Sequence, residues 1–341
     1  MKLLETQKEF IVEEDRDFDS PHASTLIRLS NGDILSAWFA GSWEKGPDVA
    51  IWMSRRTKDG WQRPWIIADT RGIALWNPVL FQRQDGRIFL FYKEGATIPN
   101  WRTLVKISDD EGKTWTDSRE LVEGDQIGGR GPVKNKCITL SDGTILAPAS
   151  LEGETWDAFV DISTDGGDSW KMSQLVPLRR ADYHVVDRLP DRRLCYGKGV
   201  IQPTLWESAP GKVHMLLRST SSAIFRSDSQ DGGKTWCTAY QSGLPNNNSG
   251  IDLVKLHNGN LVLAYNPTGN LPNYYKGPRT PLVLSLSTDN GESWQQILTL
   301  ENEPGGYAYP AIICDDVHQE LLLTYTWKRE RIVFWRIRYE L

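Results

Sequence analysis

Ser108-Asp109-Asp110-Glu111-Gly112-Lys113-Thr114-Trp115 decides how this chain is read, because the chain repeats it. The pattern Ser-x-Asp-x-Gly-x-Ser/Thr-Trp returns at residues 163–170, 229–236 and 287–294. A fifth, broken copy occupies 54–61, with Asp59-Gly60 shifted next to Trp61. The copies start at 54, 108, 163, 229 and 287, at intervals of 54, 55, 66 and 58 residues. Five fixed choices in eight positions, at a near-constant interval, mark an array of modules.

The chemistry of the pattern is that of a tight turn. Asp bonds nearby backbone, Gly takes positive φ, and Ser or Thr adds a local hydrogen bond. Trp buries a large apolar body beneath. Each copy therefore reads as a self-capped hairpin pinned to its own module's core, and its Asp staples rather than catalyses. Between the copies lies a second signal, a polar residue and Gly followed by apolar residues. It occurs at Asn31-Gly32, Asp85-Gly86, Asp142-Gly143, Pro210-Gly211 and Asn258-Gly259. A sixth place, His318-Gln319-Glu320-Leu321-Leu322-Leu323, has the strands without the Gly. Such turns between β-like runs are hairpin signals. The count rises from five modules to six, each reading as four antiparallel strands. An all-β, six-bladed β-propeller is the expectation, as a single domain over residues 1–341. A sandwich would not need the same turn chemistry at so regular an interval. The last strand, Arg331-Ile332-Val333-Phe334-Trp335, has no Asp turn after it. A strand near the N-terminus, such as residues 9–13, is expected to close its blade.

The totals fit one repeat-built core. The chain has 341 residues, 39% of them hydrophobic, with 15 Trp and a formal net charge of −5. That charge disfavours a nucleic-acid or polybasic-membrane partner. No stretch approaches the length of a membrane span. Met1-Lys2-Leu3-Leu4-Glu5 does not read as a signal peptide, and Cys137, Cys195, Cys237 and Cys314 are scattered without a CxxC. The expectation is a cytoplasmic protein with reduced thiols, no metal and no cofactor.

In a propeller the first strand of each blade lies nearest the axis. Lined up on their Gly turns, the six first strands start at His22-Ala23-Ser24, Trp76-Asn77-Pro78, Lys134-Asn135-Lys136, Gln202-Pro203-Thr204, Ser249-Gly250-Ile251-Asp252 and Tyr309-Pro310-Ala311. Polar side chains converging on one axis form a binding site for a polyhydroxylated ligand. Asn248, beside Ser249, and Asp252 join that ring as candidate contacts. Charges interrupt the apolar strands at Lys93, after Phe89-Leu90-Phe91-Tyr92, and at Arg218, after Met215-Leu216-Leu217. Arg279 precedes an apolar strand and its Asp turn. Two Arg with Lys134 and Lys136 suit a carboxylate, since Arg offers a planar bidentate fork. An acidic oligosaccharide or glycan is the expected partner. A long insertion at about 178–199, with Asp182, His184, Asp187, Arg188, Arg192 and Arg193, is a candidate flank of the site.

Six blades and these turns resemble the sialidase (neuraminidase) superfamily and its Asp-box, or BNR, repeats, over essentially the whole chain. The resemblance implies three Arg for the substrate carboxylate, a Tyr nucleophile assisted by a Glu, and an acid/base Asp. Arg218, in Leu217-Arg218-Ser219, resembles the second arginine and Arg279 the third. Tyr309-Pro310-Ala311-Ile312 resembles the segment of the nucleophile. His22 stands where the first arginine is expected, and Gln202-Pro203 where the assisting Glu is expected. The acid/base Asp has no clear match near Gly41-Ser42-Trp43-Glu44-Lys45-Gly46-Pro47-Asp48; Glu44 is the substitute there.

Three functions stay open at this point. The first is an exo-glycosidase that cleaves a terminal acidic sugar, sialic acid or a relative. Tyr309 attacks, Arg218 and Arg279 hold the carboxylate, and Glu44 or His22 protonates the leaving oxygen. The second is a uronate lyase with His22 or Tyr309 as base and Arg218, Arg279, Gln202 or Asn77 stabilising the enolate. The third is a glycan-binding propeller without catalysis. Family resemblance favours the first, whereas a neutral Gln202 that cannot take a proton favours the second.

Overall fold

A computed structural model describes residues 1–182, 199–272 and 274–341. Its strands form six antiparallel sheets, five of four strands and one of five, in the order of a β-propeller. The second blade is representative, with strands Leu75–Gln82, Ile88–Glu94, Arg102–Ser108 and Arg119–Glu120. The inner strands are almost wholly buried, as apolar runs such as Ile88-Phe89-Leu90-Phe91 require in a sheet packed on both faces. The outermost strands are short and more exposed. Single-turn 3-10 helices at Ile98–Asn100 and Arg180–Asp182 are the helical elements among the described residues.

The ring closes through the two ends of the chain. Lys2–Phe10 pairs antiparallel with Arg331–Glu340 and completes the blade whose inner strands are Tyr307–Asp315 and Glu320–Trp327. The closing strand therefore starts earlier than the expected residues 9–13 and overlaps them at Glu9 and Phe10. Most of its side chains are exposed, so it carries no apolar run to betray it. Past Phe10, Ile11 still donates its N–H to the Ile332 carbonyl at 2.9 Å, and Ile11 and Val12 bury among Trp38, Trp52, Ile332 and Phe334.

Each intact Asp turn is built alike. In the first, Ser108 Oγ accepts the Gly112 N–H at 2.9 Å, and Asp110 accepts the Thr114 N–H at 2.9 Å and the Thr114 hydroxyl at 2.6 Å. These donors hold the Asp110 carboxyl below the usual carboxylate range. The turns also reach beyond their own blade. A Cβ on Gly112 would lie 2.5 Å from Leu35 Cδ1, one on Gly167 3.0 Å from Phe89, and one on Gly233 3.0 Å from Leu146, each on the preceding blade. Arg83 and Arg226 of preceding blades donate to the carbonyls of Gly166 and Asn290. The pinning is thus between blades as well as within them, because a glycine without a Cβ lets the turn seat on its neighbour.

Candidate active site

Four first strands slip register at one equivalent place: between His22 and Thr25, Trp76 and Val79, Ile201 and Thr204, and Ala308 and Ala311. Each slip opens on a residue with positive φ, namely Ala23 (55°), Asn77 (42°), Gln202 (53°) and Tyr309 (57°). Positive φ is costly for residues other than glycine and here marks a bulge that re-aims one side chain. Three of the four precede a proline, which has no N–H to lose from the ladder. The bulge thus presents Asn77, Gln202 and Tyr309 from separate blades, and its counterpart in the first blade is Ala23. His22 stands one position earlier, level with Trp76, Ile201 and Ala308. The expected alignment of His22 with Trp76 holds, and its alignment with Gln202 and Tyr309 is corrected by one residue.

His22 nonetheless reaches the same place. Its ring lies 4.3 Å from that of Tyr309, centroid to centroid, and its Nδ1 is 2.8 Å from Thr326 Oγ1. Burial pushes its imidazole well below the usual range, and the charges of Arg329, Arg279, Arg218 and Lys134 push it further. At neutral pH this His is uncharged, so the first position supplies no cation.

Tyr309 is the centre of the cluster. Its Oη accepts from Arg218 Nη1 at 2.6 Å and has Gln202 Nε2 at 3.5 Å. Gln202 Oε1 accepts from the same Arg218 nitrogen at 3.0 Å, which leaves its amide N–H groups facing Tyr309 and Glu152. The Tyr309 oxygen therefore meets donors. The guanidinium carbons of Arg218 and Arg279 lie 5.7 and 5.8 Å from the Tyr309 ring, and Arg218 also covers Trp156 at 5.4 Å. Asn248 fixes the far side of Arg218, accepting from its Nε at 2.9 Å and donating to the Tyr275 carbonyl. Arg218, Arg279, His22, Gln202 and Tyr309 thus share one site. Among the described residues neither arginine has a carboxylate partner.

Lys134 lies 5.9 Å over the Tyr309 ring but has no donor left for a ligand, and the other expected contacts separate from the site. Lys134 spends its ammonium on Asn135, the Ile251 carbonyl and the Pro310 carbonyl, the three acceptors an ammonium can fill. Lys136 pairs with Asp252 at 2.9 Å, and Asp252 also accepts from Thr204 and the Ile312 N–H. These three residues tie four blades together along the axis. Lys93 is the register counterpart of Arg218, facing Trp76 as Arg218 faces Ile201. Its ammonium is buried against Thr103 and the Arg130 carbonyl, and burial brings it down to about 7. The Asn77 side chain is buried and makes no hydrogen bond among the described residues. Glu44 is exposed and pairs with Arg329. Asp48 caps the Ser42 backbone and hydroxyl. His184, Asp187, Arg188, Arg192 and Arg193 lie outside the described residues. No group of three His, Cys, Asp or Glu among the described residues is arranged to hold a metal ion.

Three residues of the site escaped the sequence reading. Glu152 ends the apolar strand Ile145–Glu152, accepts from Gln202 Nε2 at 3.3 Å, and is pushed up from the usual carboxylate range by burial, against the pull of Arg218. A charge closing an apolar strand is the signal that singled out Lys93 and Arg218. Arg329 comes from the hairpin Lys328-Arg329-Glu330, where a run of charges reads as a solvated tip. Lys276, near Arg218 and Arg279, adds a further cation that burial weakens.

The profile of the BNR repeat-like domain matches residues 32–318. A sialidase from Bacteroides fragilis is 26% identical over 267 residues, which is 73% of this chain and 45% of that protein. The chain thus spans under half the length of that relative. Among solved structures, a protein of unknown function from Dyadobacter fermentans has a TM-score of 0.76 at 17% identity, covering 98% of this chain and 99% of its own. A Hadza microbial sialidase gives 0.75 at 17% identity, over 96% of this chain and 68% of its own. At these identities the structures show a shared fold.

Proposed function

This chain belongs to the BNR repeat-like domain family, and from that premise we propose that it is a sialidase-like glycosidase releasing a terminal acidic sugar from a glycan. The observation that carries the reading is the half-buried Tyr309, whose oxygen is held by Arg218 at 2.6 Å while Arg279 lies over its ring. Two guanidiniums without carboxylate partners among the described residues suit the carboxylate of an acidic sugar. A sugar held there brings its anomeric carbon towards Tyr309 Oη. Tyr309 acts as nucleophile, and the cations around its ring stabilise the negative charge it carries into the reaction. Gln202 donates to Tyr309 and takes no proton from it, so the neutral His22 packed on the ring is the base available. Glu44, a carboxylate while it pairs with Arg329, takes a proton from solvent before giving it to the leaving oxygen. Glycosidases with a Tyr nucleophile stand outside the carboxylate-pair rules.

The same neutral His22 favours a second reading, a uronate lyase. An uncharged imidazole among arginines is a base beside groups that hold a carboxylate and stabilise its enolate. Product analysis on a panel of acidic oligosaccharides separates the two. Release of an intact acidic sugar, without ultraviolet absorbance from an unsaturated uronate, supports the glycosidase. Growth of that absorbance without a free acidic sugar replaces it with the lyase. Binding without either product leaves a glycan-binding propeller.

A further inference from the structure

Arg329 brings a third guanidinium to the site from an unexpected direction. It lies on the hairpin between Glu320–Trp327 and Arg331–Glu340, where Lys328 and Arg329 both have positive φ, 52° and 62°. Its guanidinium carbon is 6.0 Å from the Phe39 ring, next to His22 in the first blade. Arg329 is the strongest of the charges acting on His22, and it also acts on Arg279. Arg218 and Arg279 therefore lie over Tyr309, and Arg329 lies on the Phe39–His22 side of the same site.

The three differ in their partners. Arg218 is held by neutral groups, and Arg279 has no ion-pair partner among the described residues. Arg329 alone is neutralised, by Glu44. Yet its Nη1 is buried without a hydrogen-bond partner, so the Glu44 pair leaves a donor unsatisfied. A buried donor in that state favours any ligand able to reach it. Glu44 is itself exposed, on the loop between Ile34–Gly41 and Ala50–Thr57, beside a Trp43 that is 57% exposed. An ion pair with one solvent-exposed partner gains little, so giving it up costs little.

We propose that Glu44 stands in for the carboxylate of the ligand: an acidic sugar displaces it from Arg329, which becomes the third carboxylate-binding arginine, and Glu44 is freed towards the leaving group. The exchange rests on the reading that the ligand is an acidic sugar. It couples arrival of the carboxylate to release of Glu44, which leaves as a carboxylate and takes a proton from solvent before serving the leaving oxygen. It also explains how a site with a neutral His22 still presents three cations, the third being drawn from the opposite end of the chain.

Titration calorimetry with N-acetylneuraminic acid and glucuronic acid, each beside its methyl ester, tests the exchange. The proteins are the wild type, Glu44→Gln, Arg329→Ala, Arg329→Lys, Arg218→Ala and the Glu44→Gln/Arg329→Ala double variant. Removing the competitor in Glu44→Gln is expected to tighten binding of the free acid by about fivefold or more, within the usual range of coupled binding. Arg329→Ala loses affinity by about tenfold, and Arg329→Lys loses less because the charge remains. In the Arg329→Ala background Glu44→Gln has no effect, and the methyl esters do not respond to Glu44→Gln. Unchanged or weaker binding of the acid by Glu44→Gln, or an equal gain in the absence of Arg329, overturns the exchange. Binding that depends on Arg218 but ignores Glu44 and Arg329 overturns the exchange alone. Absence of binding by any of the proteins overturns the acidic-sugar reading with it.

Discussion

The guanidinium of Arg218 donates to the phenol oxygen of Tyr309 over 2.6 Å, across 91 positions of sequence. The pair joins the fourth blade to the sixth, and the bulge at Tyr309 aims the phenol at that contact. Tyr309→Phe keeps the ring beneath Arg218 and Arg279 but removes the reacting oxygen. Turnover of the substrate found by product analysis is expected to fall by about 10²–10⁴-fold, as for loss of a reacting acid–base group. Affinity for the product sugar should stay within a few-fold. An equal loss in affinity and turnover, measured by steady-state kinetics and calorimetry, would make Tyr309 a binding residue.

His22 makes folding sensitive to acid. Its folded-state basicity lies well below the usual 6.5, so the folded protein binds fewer protons at this ring than the unfolded chain does. That stability is complete above 6.5 and is lost as pH falls below it. His22→Asn should therefore narrow the difference in Tm between mildly acidic and neutral pH. Proton NMR should show the wild-type ring still neutral below the usual titration range. A His22 resonance titrating at its ordinary value refutes this.

Gln202 and Glu152 set a test by charge. Gln202→Glu places a second carboxylate 3.3 Å from the first, and two such groups cannot both ionise cheaply. One is held protonated in the folded state, its pKa raised above the unfolded value. Stability is then lost as pH rises through that raised value. Gln202→Glu should melt progressively earlier between mildly acidic and mildly alkaline pH, and Glu152→Gln added to it should restore the wild-type profile. A flat profile in Gln202→Glu would show that the two side chains do not interact.

The Asp turns act through packing between blades. Gly32 and Gly112 both have positive φ, 87° and 76°, but a Cβ on Gly32 meets nothing within 4 Å whereas one on Gly112 meets Leu35 at 2.5 Å. Gly32→Ala should cost about 1–2 kcal/mol for the backbone conformation. Gly112→Ala should cost about 1–3 kcal/mol more for the overlap with Leu35. Denaturant unfolding compares the two directly, and equal losses would show that the turn does not seat on the first blade.

The repeated Asp turns and the Gly turns between them determined the all-β class and the six blades, because turn chemistry is local and each module writes its own. Arg218, Lys93 and Arg279 were legible for a related reason, since charges at apolar strands stand out against their neighbours. Tertiary structure decided which of them meet. Arg218 and Arg279 face Tyr309, whereas Lys93, Lys134 and Lys136 are spent on carbonyls and Asp252, because a partner supplied by another blade leaves no mark near the residue it satisfies. The slip that aligns Ala23, not His22, with Asn77, Gln202 and Tyr309 is a backbone event that no residue pattern announces. Arg329 sits in a charged hairpin that reads as solvent-facing, and only closure of the ring brings it to Glu44 and His22.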